Sequence, residues 1–187
     1  MDTHKINVKF FLEKGHDVAP ETWFQTFNEW IPDEQNEVWV DVADYSHVKA
    51  GPVTLLVGHE ANYSIDNTNE RLGLLYCRKQ PQDGTFADRL KAAFRRACQT
   101  CQRLEENLDG QVSFRGNQAQ LTLNDRRLAP NTKNTLKAIR SDLEALLNTL
   151  YAGANITLEH DSDPKRLFTL NIQAEGDWKI NNLLENI

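Results

Sequence analysis

The sequence predicts an α+β protein, with largely antiparallel sheet packed against two long helices and one short aromatic helix. Three observations lead there. Short apolar segments alternate with a period of two and are bounded by turn residues; two longer stretches repeat apolar positions at helical spacing; most connections between candidate strands are shorter than the dozen or more residues of a parallel crossover.

Ile6, Val8 and Phe10 alternate with Asn7 and Lys9, which predicts a first strand with one buried face. Pro20 opens a short helix where its missing N–H costs nothing. On it Trp23, Phe24, Phe27, Trp30 and Ile31 form one aromatic stripe that ends at Pro32-Asp33. Four β segments follow: Glu37–Val42, with Val38, Val40 and Val42 alternating; Val53–Val57; Ala61–Ile65; and Leu72–Tyr76. Gly51-Pro52 and Asp66-Asn67-Thr68-Asn69 supply turns between them.

Thr85 with Asp88 three residues on reads as a capping box that starts a helix running to about Leu108. Val112 and Phe114 lead through Gly116-Asn117 to Ala119, Leu121 and Leu123, a predicted hairpin. Pro130-Asn131-Thr132 opens the Leu-rich second long helix, closed by Gly153. Asn155–Glu159 and Leu167–Ile172 form a last strand pair around Asp163-Pro164, and Trp178–Ile187 is a short amphipathic tail. The second half thus reads β-β-α-β-β, without a repeat of matching residues. We expect one α+β unit over residues 1–187. A two-lobed division near 81–84 is the alternative, with a β-rich lobe 1–80 and a helix-rich lobe 85–187.

The chain has 187 residues, 21 Lys and Arg against 27 Asp and Glu, and a net charge of −6. Its 40% hydrophobic and 26% charged residues exclude disorder, and no apolar run approaches the roughly 20 residues of a membrane helix. Residues 1–82 hold 13 acids and 7 bases, whereas residues 83–187 hold 14 of each. An acidic first half repels a phosphate backbone, so nucleic acid is disfavoured as a partner. Three cysteines and no signal-like N-terminal segment give a cytoplasmic setting as the expectation.

Candidate chemistry is sparse. Cys98 and Cys101 spell CxxC, but they lie well inside a helix and on its apolar side, so they read as core. His59-Glu60 after a strand offers a metal-binding or proton-sharing pair, with Asp41, Asp44 and His47 as companions. If the flanking strands form a hairpin, His47 and His59 fall at opposite ends, some 20 Å apart at about 3.3 Å per residue. Arg95 and Arg96 lie on a helix face interrupted by acids. The leading expectation is a non-enzymatic protein, without cofactor, that binds a protein partner or a copy of itself through exposed strand edges. The alternative is a small metal-dependent or acid–base hydrolase using Asp41, Asp44, His47, His59 and Glu60, with His59 and Glu60 as metal ligands. A weaker alternative is anion or nucleic-acid binding through Arg95 and Arg96.

Overall fold

Ile6, Val8, Phe10 and Leu12 face a helical layer from strand β1 (Ile6–Leu12), as their alternation predicts, yet all seven residues of the strand are buried. The reason is position. The computed structural model of the chain, which describes residues 1–13 and 18–187, places β1 near the middle of an eight-stranded sheet. The other strands are β2 (Trp39–Asp44), β3 (Pro52–Gly58), β4 (Ala61–Asp66), β5 (Gly73–Arg78), β6 (Phe114–Leu123), β7 (Ile156–Asp161) and β8 (Phe168–Ala174). Their order is β2-β3-β4-β5-β1-β6-β8-β7, and every neighbouring pair is antiparallel.

Among the described residues, four helices complete the α+β architecture: α1 (Pro20–Asp33), α2 (Phe86–Asn107), α3 (Lys133–Leu150) and α4 (Ile180–Asn186). α1 packs on β2 and β3; α2 packs on β1 and β5 and also touches α3 and α4; α4 packs on β6. The capping box forms as the sequence predicts: Thr85 Oγ1 accepts from the Asp88 amide at 3.2 Å and the Thr85 amide donates to Asp88 Oδ2 at 2.8 Å. Cys98 and Cys101 are fully buried on α2, and burial raises both thiol pKa values. Among the described residues, no helix is long and apolar enough to cross a membrane.

The chain contains two halves of related order, the first carrying two strands, β2 and β3, that the second lacks. In the first, β1 is followed by α1, its last strand β5 returns to pair beside β1, and α2 follows. In the second, β6 is followed by α3, its last strand β8 returns beside β6, and α4 follows. β1 and β6 meet antiparallel at the seam, with Val8 opposite Leu121. The second half therefore runs β-α-β-β-α, correcting the β-β-α-β-β order read from the sequence.

Three further corrections have local causes. Gly116-Asn117 is not a hairpin turn, because β6 runs straight through it. A Cβ at Gly116 would lie 2.3 Å from the Trp178 carbonyl oxygen, so this glycine serves the close approach of the segment entering α4. Val38 and Val40 do not alternate inward: they are 66% and 63% exposed. A bulge between Trp39 and Asp41 makes Val40 the extra residue of β2, and Trp39 takes the inward place. Phe24 also leaves the aromatic stripe and is exposed on α1, whose inward set is Trp23, Phe27 and Trp30.

Candidate functional site

The hairpin of β2 and β3 holds the polar residues singled out from the sequence, and its pairing separates them. His59 N donates to Val38 O at 2.7 Å, and Tyr45 N donates to Val53 O at 2.9 Å. His47 lies in the turn before β3 and His59 in the turn after it, so the seven-residue strand separates them by about 20 Å. His47 stacks on Tyr45, their ring centroids 6.3 Å apart. Asp41 accepts from the Val42 amide, and Asp44 accepts from the Ser46 amide, which holds the Asp44 carboxyl below its ordinary value. Glu60 lies 3.4 Å from His59 and is bonded to Arg78. The five side chains of the hydrolase reading therefore do not converge. Among the described residues, no group of three or more His, Cys, Asp or Glu is placed to hold a metal ion.

The basic pair separates too. Arg95 is exposed on α2, while Arg96 lies 3.3 Å from Glu37. Both carboxylate oxygens of Glu37 also accept from the Tyr63 hydroxyl at 2.8 Å. Arg96 is thus paired with a buried carboxylate while its own side chain stays 40% exposed.

Polar side chains do converge on the sheet face turned away from the helices. Two rows cross the seam. Lys9 of β1 faces Gln120 of β6, which faces Asn171 of β8, which faces Glu159 of β7. Beside them, Asn7 faces Thr122, Thr169 and Asp161 in turn. Neighbours within the rows are joined: Gln120 Nε2 donates to Asn171 Oδ1 at 2.9 Å, and the Thr122 and Thr169 hydroxyls lie 3.2 Å apart. Together with the flanking turns, these strands line a cavity of about 380 Å³, within the size range of small-molecule sites.

The turns enter from opposite ends of the rows. At one end Asp66 closes β4 and pairs with Lys9, which is only 3% exposed. Asp66 is held by the Thr68 amide at 3.1 Å and the Thr68 hydroxyl at 3.0 Å. The turn then carries Asn69 and Glu70 with φ of 60° and 57°, a left-handed conformation that costs a non-glycine residue roughly 1–2 kcal/mol. It returns Arg71 over the Phe11 ring, 3.6 Å from its centroid. At the other end Asp161 closes β7, and Arg166 turns back to it at 3.3 Å. Each half thus supplies an Asp, an Arg five residues later and a Leu directly after it: Asp66, Arg71, Leu72 and Asp161, Arg166, Leu167.

Burial works against the charge on Lys9. Desolvation lowers its pKa, attraction to Asp66 partly offsets this, and Arg71 lowers it further. Asn7, 8% exposed on the same face, has an Oδ1 atom without a hydrogen-bond partner among the described residues. Its strand neighbour Cys77 remains a neutral thiol, its pKa pushed up to about 12 by burial. None of these cavity residues stood out in the sequence. Asn7 and Lys9 read as the wet side of a strand, and the two Asp–Arg segments read as turn chemistry. The one available signal was the repeated Asp-x-x-x-x-Arg-Leu spacing.

No protein-family model matches this chain, and a search of curated proteins returns no match.

Proposed function

We propose that the chain is a non-enzymatic binding protein that holds a small polar molecule in the cavity across β1, β6 and β8. One observation carries this reading: Asn7, Lys9 and Asp66 are buried together at a concave surface, and Asn7 keeps an unsatisfied acceptor there. Burying an amide oxygen without a donor costs about 1–3 kcal/mol, and burying a charge costs more. A ligand donor meeting Asn7 Oδ1 relieves the first cost. The cysteines remain thiols in this reading, in keeping with a cytoplasmic setting.

The test is a thermal-shift screen of common metabolites, followed by NMR of the asparagine and glutamine side-chain amides. A ligand held at about 100 times its Kd stabilises the native state by about 2.7 kcal/mol, enough to move the melting point by degrees. The expected hit shifts the Asn7, Gln120 and Asn171 amides and is lost in Asn7→Leu. Hits that perturb only other surfaces defeat the proposal.

A second reading, recognition of a protein through an added strand, is favoured by Val40 of β2 and Val38 just before it. They present exposed apolar side chains at a strand that, among the described residues, has no neighbour on its outer side. The occupant we propose is a second copy of the chain, pairing β2 against β2. Light scattering coupled to size exclusion is expected to give twice the chain's mass, and Val40→Lys to return the monomer. A wild-type chain that stays monomeric when concentrated removes this reading.

A further inference from the structure

The cavity's charge is not balanced, and the imbalance has a location. Lys9, Arg71 and Arg166 line it against Asp66 and Asp161, leaving one positive charge in excess. Lys9 is matched by Asp66, and Arg166 by Asp161. Arg71 has no carboxylate partner among the described residues; its contacts are the Phe11 ring and Gln118 Oε1 at 3.3 Å. Arg115 follows Phe114 on β6, which pairs with Leu12, the neighbour of the Phe11 that Arg71 covers, and Arg115 forms no ion pair among the described residues. Two guanidinium-bearing residues are thus placed on either side of the end of β1, although the net charge of the whole chain is −6.

Arg71 also forms part of a second, adjoining cavity of about 180 Å³, lined further by Gln118, Asn171 and Gln173 and, as its one carboxylate, by Glu159. The guanidinium therefore sits where two polar depressions meet, its face on an aromatic ring and its edge toward amides. Such a group binds carboxylate or phosphate through paired N–H donors. The neighbouring surface of Asn7, Gln120, Thr122, Thr169 and Asn171 supplies amide and hydroxyl partners of both polarities. Repulsion between neighbouring cations is relieved when an anion lies between them. Burial lowers the Arg71 pKa most and Arg115 lowers it further, so the site resists holding this cation without an anion beside it.

We propose that the ligand of this cavity is a small hydroxyl-bearing anion, whose phosphate or carboxylate is held by Arg71 and Arg115 while its hydroxyl groups lie along the Gln120–Asn171 row. This inference rests on the small-ligand reading above and adds the chemical class. Four probes separate its parts: ribose 5-phosphate, ribonate, ribose and inorganic phosphate. They are titrated by calorimetry into the intact chain and followed by side-chain amide NMR.

The two sugar anions are expected to bind at least about tenfold more tightly than ribose and more tightly than inorganic phosphate. Arg71→Gln, at an exposed position, is expected to remove that advantage, Arg115→Gln to reduce it, and Arg71→Lys to keep part of it. Whichever of ribose 5-phosphate and ribonate binds better identifies the anionic group. Ribose binding as tightly as its anions, with unchanged affinity in Arg71→Gln, overturns the anion assignment while leaving the small-ligand reading intact. Failure of all four probes to perturb the Asn7, Gln120 and Asn171 amides overturns the assignment as well. The metabolite screen then decides the broader reading on its own.

Discussion

Replacing Lys9 with Met while Asp66 stays in place is expected to lower the unfolding free energy by about 3–5 kcal/mol, because it leaves a buried carboxylate without its cation. Replacing both, Lys9→Met with Asp66→Leu, is expected to return most of that loss. Lys9 and Asp66 are both nearly inaccessible to solvent, so neither can recover hydration when its partner goes. The double variant instead fills the space with apolar atoms against Leu75 and Phe11, which lie on the same face. Urea denaturation of the two single variants and the double variant measures the coupling directly. Additive losses would mean that the pair is not one unit.

The pH dependence has a definite sign. Because burial lowers the Lys9 pKa in the folded chain, the unfolded chain holds that proton more tightly. Between the folded value and the ordinary lysine value the unfolded state binds more protons, so this group's contribution makes stability rise with pH. The contribution is complete above the ordinary lysine value and is lost as pH falls through the folded one. Lys9→Met should flatten the stability profile over that alkaline window. A charged pair buried in the centre of a sheet, where β-branched side chains would serve stability better, is a local conflict between residue and position.

What the sequence shows and what it conceals divides along contact range. The capping box at Thr85 and the His59–Val38 pairing are decided by residues near each other in the chain, and both could be read there. The bulge at Val40 could not, because its alternating valines look the same whether or not one residue is extra. The cavity depends on strand order. Lys9 reads as solvated until β5 and β6 are known to flank β1, and Asn7 shares a cavity with Asp161 only because β6, β8 and β7 lie in that sequence beside it. The Asp–Arg–Leu spacing escaped notice for another reason: little else around it matches between the halves, so it stands out only once β4–β5 and β7–β8 are seen as equivalent hairpins.

Trp30→Ala is the second large expected loss, again about 3–5 kcal/mol, the range for truncating a buried Trp. The aromatic stripe of α1 meets the sheet through this ring. Its centroid lies 5.2 Å from that of Phe27 and 5.9 Å from that of Trp39; Trp39 continues to Tyr63 at 5.8 Å, and Tyr63 to Tyr76 at 5.3 Å. The Arg103 guanidinium covers Trp30 at 4.4 Å and is held by Glu34 at 3.1 Å, and the indole N–H donates to Asn107 at 2.7 Å. Truncation leaves a cavity, a cation with only the more distant Trp39 ring at 5.3 Å, and an amide without its donor. Trp30→Phe keeps the ring and loses mainly the hydrogen bond, for a smaller loss of about 1 kcal/mol. The damage should also be local. β2 is an edge strand bonded only to β3, and α1 is what covers both. Amide exchange in Trp30→Ala is therefore expected to accelerate first in α1 and β2, while β1 and β6 at the seam keep their protection. Uniform acceleration across all eight strands would show instead that α1 and the central sheet unfold as one cooperative unit.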